Sequence, residues 1–365
     1  MNIPDTMKAV VLTGHGGLDQ LVYHEDWPTP SPKENEVLIK VGACGLNNTD
    51  INTRSGWYSK AVSEATTGDA YTTVDEDDPT WGGEPITFPR IQGADVCGTV
   101  VAAGNNADNS LIGKRVITDN WLRDWSDPSN KNSTGYFGSE CDGGYAEYTT
   151  IDYRNAGAVN SSLTDAELAT FSCSYTTAEG MLARANVVKG DSVLIAGASG
   201  GVGSALIQLA NRRGALVIGL AAEQKHVELE KLGADALLER NPENIKKALK
   251  LAVKHESVSV VADVVGGPNF GQLIDCLKRG GRYTCSGAIA GPIVDLDLRT
   301  LYLRDLTFTG STVIPPHIFS DLINYIEQSE VEPVLAATYP LHELQDAQQA
   351  FIDKQYIGNI VVTMD

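Results

Sequence analysis

The chain reads as an α/β protein in which a doubly wound parallel sheet is joined to a second, β-rich unit. Three observations predict this. From about Asp165 onward, short apolar runs alternate with segments of helical period. One of those runs is followed by the glycine-rich stretch Gly197-Ala-Ser-Gly-Gly-Val-Gly203 and then by a helix pattern. The first 155 residues instead read as short strands joined by long polar loops.

In chain order, Met7–Thr13 reads as a first strand, followed by Val37–Val41, Gly98–Ala102, Lys114–Thr118 and Tyr145–Ile151. Two loops exceed ordinary lengths. One is Ser59–Pro89, rich in Asp, Glu, Thr and Gly, and the other is Asp119–Asp142, carrying Trp121, Trp125, Tyr136 and Phe137. Loops of this length serve as lids or cleft rims, or lack fixed structure. The alternating half begins with helix Asp165–Arg184 and strand Ser192–Ala196, then the glycine loop and helix Ser204–Arg213. Strand Ala215–Leu220, helix Gln224–Leu232, strand Ala236–Leu238, helix Pro242–Lys254 and strand Ser259–Val264 follow. Helix Phe270–Lys278, strand Gly281–Ser286 and a last strand in Asp305–Thr312 complete it. The tail Phe319–Asp365 holds two helices and a strand, Gly358–Thr363, expected to return to the first unit. The division expected is 1–156, 157–312 and 313–365.

The strand–glycine–helix order has a chemical meaning. Glycines let the backbone turn tightly and approach a pyrophosphate, and the helix N-terminus offers unpaired N–H groups to its charge. In the G-x-G-x-x-G frame the first position is Ala198, followed by Gly200 and Gly203. Ala198, Ser199, Gly200, Gly201, Val202 and Gly203 are therefore the expected dinucleotide cradle.

Composition bounds the remaining classes. At 365 residues the chain suits two domains, and a formal net charge of −19 argues against nucleic-acid or anionic-membrane surfaces. No apolar run approaches the roughly 20 residues of a membrane helix, and the N-terminus reads as a strand rather than a signal peptide, so a cytoplasmic location is expected. The six cysteines lie far apart with no C-x-x-C pair and are expected as reduced thiols. The six histidines are equally scattered, none beside a cysteine at zinc-ligand spacing.

Further words recur in order along the chain: Cys44-Gly-Leu-Asn-Asn-Thr-Asp50 with Arg54-Ser-Gly56, Gly93-Ala-Asp-Val-Cys-Gly98, Gly113-Lys-Arg-Val116, Asp142-Gly-Gly-Tyr-Ala-Glu-Tyr148, Lys231-Leu-Gly-Ala-Asp235, Asp263-Val-Val-Gly-Gly267 and Gly358-Asn-Ile-Val361. Together with the glycine loop they resemble the medium-chain dehydrogenase/reductase superfamily. The resemblance implies a GroES-like N-terminal catalytic domain, an inserted Rossmann domain and a returning tail. Zinc alcohol dehydrogenases of that superfamily carry metal ligands where this chain reads Asn47, Ala94 and Ser172, with Cys173 one residue away. An amide and a methyl group do not replace Cys and His as zinc ligands, so no zinc is expected. The pattern is similar to the zinc-independent quinone oxidoreductase branch, also called zeta-crystallin-like.

That resemblance implies a homodimer and hydride transfer to a quinone, enone or related activated carbonyl, with catalytic candidates Tyr58, Asn47 and Asp50. Tyr58 would donate its O–H near the developing oxyanion, Asn47 would orient substrate or nicotinamide, and Asp50 would orient a hydrogen-bond network. Thr176 resembles a position at the nicotinamide face. Ser286 and Ala288 follow a strand at the edge where the cofactor lies, and Asn359 stands where the branch often has a basic residue, which weakens any phosphate contact there. The second-strand end, Leu220-Ala-Ala-Glu-Gln-Lys225, lacks an acid at its tip, and Lys225 could pair with a 2′-phosphate. NADPH is expected, with NADH the alternative because of Glu223. Two other readings stay open: an alcohol dehydrogenase with an unrecognised metal site, and a non-catalytic nucleotide-binding relative.

Overall fold

The computed structural model describes residues 3–69, 71, 78 and 80–364. Its second half is a six-stranded sheet in the spatial order Ala236–Glu239, Leu216–Ala221, Ser192–Ala196, Val258–Asp263, Leu277–Cys285 and Thr307–Gly310. Every neighbouring pair is parallel. The chain lays down Ser192–Ala196 first, fills one side, then crosses back to fill the other. The order therefore reverses beside the first strand, which makes its carboxyl end the crevice where such sheets take ligands.

The central strands Ser192–Ala196, Leu216–Ala221 and Val258–Asp263 are near-continuous apolar runs because both faces are covered. Val193, Leu194 and Ile195 are fully buried. Helices Ser172–Arg184 and Gly201–Arg212 cover one face through Tyr175, Met181, Leu206 and Leu209. Ile245, Leu249, Phe270 and Leu273 cover the other. Each buried Val, Leu or Ile contributes about 1.5–3 kcal/mol relative to exposure.

The expected helix Asp165–Arg184 is two helices, Asp165–Leu168 and Ser172–Arg184. Thr164 and Glu167 form a reciprocal capping box at the first start. The Thr170 hydroxyl then donates to the Glu167 carbonyl, and the Thr170 carbonyl accepts from Asn359 Nδ2, so the chain turns before resuming.

The N-terminal half forms a seven-stranded sheet. Strand Glu36–Gly45 pairs antiparallel with Asp95–Ala103, with Tyr148–Asp152 and with the C-terminal strand Asn359–Thr363. That strand in turn pairs with Leu335–Pro340, which the sequence reading did not anticipate. The tail thus returns to the first sheet and passes the glycine loop on the way: the Gly358 amide donates to the Ser199 carbonyl. The long 119–142 loop contains a small hairpin, Trp121–Arg123 with Thr134–Tyr136. In the 59–89 loop, residues 70, 72–77 and 79 lie outside the described residues. Among the described residues, no helix is long and apolar enough to cross a membrane, and all six cysteines are free.

Candidate active site

A cleft of about 860 Å³ runs between the carboxyl edge of the parallel sheet and the N-terminal unit. Its floor on the sheet side is the glycine loop. The tight turn falls on Gly197, at φ +76°, rather than on Ala198. Ala198 is fully buried, and the residue opposite it is Gly219, where a Cβ would come within 2.9 Å of the Ala198 methyl. A glycine across the strand therefore makes room for the alanine. Gly203 cannot carry a side chain, since its Cβ would lie 2.1 Å from the Gly197 carbonyl oxygen. A Cβ on Gly201 would lie 1.9 Å from Asn359 Oδ1. Helix Gly201–Arg212 starts here with Gly200 as its extended N-cap, so its first amides have no intrahelical acceptor. This cradle fits a dinucleotide pyrophosphate in shape and in charge.

Of the remaining expected cofactor contacts, Thr176, Lys225, Ser286, Ala288 and Asn359 line the same cleft. Several of their polar groups are already engaged. The Thr176 hydroxyl donates to the Ser172 carbonyl at 2.6 Å, and the Ser286 hydroxyl donates to the Ser311 carbonyl at 2.6 Å. Asn359 donates to the Thr170 carbonyl at 2.6 Å and accepts from the Ser174 hydroxyl at 3.1 Å. Asn359 therefore shapes the loop floor from below.

Beyond the tip of Leu216–Ala221 the cleft is cationic. Lys225 Nζ donates to the carbonyls of Tyr356 (2.6 Å) and Lys354 (2.9 Å) and approaches Ser199 Oγ at 3.4 Å. Lys354 Nζ donates to Asn48 Oδ1 at 3.1 Å and lies 3.7 Å over the Phe351 ring. Arg240 completes the group. Burial, then repulsion from Lys225 and Arg240, brings the Lys354 ammonium down to about 7. Glu223 is exposed and is not among the residues that line the cleft. Lys354 and Arg240 escaped the sequence reading because nothing local separates them from surface cations.

The facing wall comes from helix Asn48–Ser55 and the two long loops. Arg54, fully buried, pins that helix by donating to Gln348 Oε1 (2.8 Å) and to the carbonyls of Gly16 (2.7 Å) and Gly68 (3.2 Å). Asp50 lies beneath the wall rather than in it. It accepts from the Asn47 amide and the Tyr145 hydroxyl, both at 2.8 Å. Burial pushes its carboxyl up to about 7, and raises Asp95 to about 6. Asn47 and Tyr58 both line the cleft, and Tyr58 is 40% exposed towards it. Trp81, Trp121 and Tyr136 extend the wall: the Tyr58–Trp81 centroids are 5.3 Å apart and the Trp121–Tyr136 centroids 5.1 Å. The 59–69 part of the first long loop meets the other side, where the Thr66 amide donates to the Ile289 carbonyl at 2.9 Å. Among the described residues, no three His, Cys, Asp or Glu side chains are grouped to hold a metal ion.

A dinucleotide cradle at the switch point of a parallel sheet, facing a polar and aromatic wall from a β-rich unit, defines a two-lobed nicotinamide oxidoreductase. The alcohol dehydrogenase GroES-like domain matches residues 33–161, and the zinc-binding dehydrogenase domain matches residues 201–328. A solved alcohol dehydrogenase candidate from Sinorhizobium meliloti 1021 is 44% identical, with a TM-score of 0.90, covering 100% of this chain and 98% of that one. The chain belongs to the medium-chain dehydrogenase/reductase superfamily, with a quinone oxidoreductase-like branch pattern. Human quinone oxidoreductase is 27% identical over 95% of this chain and 94% of its own length. The acryloyl-coenzyme A reductase of Sulfurisphaera tokodaii is 26% identical over 98% and 99%. The chain is thus an NAD(P)H-dependent oxidoreductase.

Proposed function

We propose that the protein is a zinc-independent, NADPH-dependent reductase of activated carbonyl acceptors, with an enone or quinone as the electrophile. The observation that carries this reading is the pairing across one cleft. A glycine-loop cradle and three cations lie on one side, and the Asn47 amide and the Tyr58 and Tyr136 phenols line the other. Asn47 and Ala94 occupy two of the positions at which zinc relatives carry ligands, and neither side chain binds zinc. An acceptor with its own low-lying orbital needs no Lewis acid of that strength; it needs positioning and a hydrogen-bond donor near its oxygen.

Gly200, Gly201, Val202 and Gly203 would hold the pyrophosphate, and Lys225, Lys354 and Arg240 the 2′-phosphate. Three cations gathered in the cleft and no acid at the strand tip support NADPH over NADH. With a reduced nicotinamide held there, the hydride would come from the cofactor. On the protein side, Asp50 fixes Asn47 at the start of helix Asn48–Ser55, and Asn47 and Tyr58 present donors to the acceptor. The likeness to quinone oxidoreductases and acyl-coenzyme A reductases supports an unsaturated acceptor.

The test is cofactor oxidation with NADPH and NADH across a panel of quinones, enones, unsaturated acyl thioesters and aldehydes. Turnover of quinones or enones with NADPH, at lower KM than with NADH, is expected. Turnover confined to saturated aldehydes, or no oxidation at all, would overturn the reading.

A further inference from the structure

Tyr136 lies at the floor of the acceptor wall, on the short strand Thr134–Tyr136, with its ring between Trp121 and Trp81 at centroid distances of 5.1 and 6.0 Å. It is 6% exposed and yet lines the cleft. Its backbone is fixed as well, the Tyr136 amide donating to Glu140 Oε2 at 2.7 Å. Asn120 Nδ2 donates to the Tyr136 hydroxyl at 3.3 Å and to Asp95 Oδ1 at 2.6 Å. Asp95 Oδ1 also accepts from the Cys173 amide at 3.0 Å, which places the start of the helix beneath the glycine loop in the same network. A lone pair of the phenol is therefore used by Asn120. Two orphaned buried polar atoms sit in the same patch of wall, Asn47 Nδ2 and Asn120 Oδ1. Buried polar atoms are ordinarily hydrogen-bonded, so at residues that line a cleft a bound group is a partner open to them.

We propose that Tyr136 is the donor that receives the acceptor's carbonyl oxygen, and that Asn120 is the positioning residue that holds it there by bridging to Asp95. This rests on the carbonyl-reductase reading and adds the residue that faces the oxygen. A phenol that accepts a hydrogen bond becomes a better donor through its own proton. Burial, with Cys173 and Asp95 beside it, holds that proton on well above the ordinary tyrosine range. Tyr136 thus acts as a neutral hydrogen-bond donor throughout the working range rather than as a source of protons. Tyr58, much more open to the cleft, stands at the rim and meets Trp81 rather than the Asp95 network.

The test uses the full chain saturated with NADP⁺ and titrated with 4-nitrophenolate at pH 8, as a mimic of the developing oxyanion, followed by its absorption band. Wild type is expected to bind it with a displaced band. Tyr136→Phe should lose tenfold or more in affinity, and Asn120→Ala should bind with a band between the two. With an acceptor that turns over, Tyr136→Phe should lower kcat about 100-fold, the usual consequence of removing one oxyanion donor, with the KM for NADPH unchanged. Retained cofactor binding certifies that the variants fold. Equal phenolate affinity in wild type and Tyr136→Phe overturns the inference, whatever the acceptor panel shows. Loss of phenolate binding in Tyr136→Phe, with no acceptor turning over, supports the donor while defeating the reductase reading.

Discussion

Replacing Lys354 with methionine separates the two nicotinamides and does so with a defined pH dependence. Methionine keeps an unbranched side chain of similar length and removes the ammonium that lies over Phe351. A charge-assisted hydrogen bond contributes about 1.5–3 kcal/mol, so at a pH where Lys354 is protonated the variant should bind NADPH roughly 10- to 150-fold more weakly. The ammonium is held at about 7 in the free protein by burial and by its cationic neighbours. At pH 8.5 it must first take up a proton, which costs about 2 kcal/mol at 1.36 kcal/mol per pH unit. At pH 6.5 that cost nearly vanishes. The penalty of the substitution should therefore shrink roughly twentyfold between pH 6.5 and 8.5, and NADH affinity should change less than twofold at both. Isothermal titration in buffers of different ionisation enthalpy adds a direct readout, with nearly one proton taken up per NADPH bound at pH 8.5 by wild type and none by Lys354→Met. Equal losses for NADPH and NADH, or a loss independent of pH, would refute the assignment of this cation to the 2′-phosphate.

Asp50 makes stability fall as pH rises. Its native carboxyl sits at about 7, above the ordinary 3.8, so the folded state binds the extra proton and this contribution is fully present only below about pH 4. It should be lost as pH passes through 7, about 2–3 kcal/mol between pH 5 and 8. Urea unfolding should show a shallower decline for Asp50→Asn; an equal decline would mean that the carboxyl is not the titrating group. Gly201→Ala places a Cβ against Asn359 Oδ1 and should cost about 1–3 kcal/mol. Asn359→Gly in the same background should return part of that loss in a double-mutant cycle, and strict additivity would deny the contact.

The parallel sheet was legible because its central strands, Ser192–Ala196, Leu216–Ala221 and Val258–Asp263, are near-unbroken apolar runs, a pattern that buried parallel strands require. The cradle was legible for the same local reason: Gly200, Gly201 and Gly203 sit where a strand hands over to a helix. Helix Asn48–Ser55 was not. Its sequence carries one apolar residue, Ile51, and so has no apolar stripe, and the buried Arg54 that anchors it resembles any surface arginine until Gln348, Gly16 and Gly68 are brought around it. Strand Leu335–Pro340 escaped because it is only partly buried at the sheet edge, where among the described residues it pairs with Asn359–Thr363 alone. Within the site, Asn47 and Tyr58 could be picked out by motif. Lys354 and the Tyr136–Asn120–Asp95 line could not, because they are assembled from segments far apart in sequence. The aromatic wall was visible only as tryptophans and a tyrosine in long loops. Folding turned Trp81, Trp121 and Tyr136 into one surface.

The central claim, hydride transfer to an activated carbonyl without zinc, is tested most directly by turnover of protein stripped of metal. Purified protein is treated with a strong chelator, its residual zinc measured by mass spectrometry, and NADPH oxidation followed with the acceptor that turns over best. Full kcat at less than about one zinc per hundred chains, unchanged by added zinc, is the predicted result. Activity that falls with zinc content and returns in proportion to zinc added would contradict it.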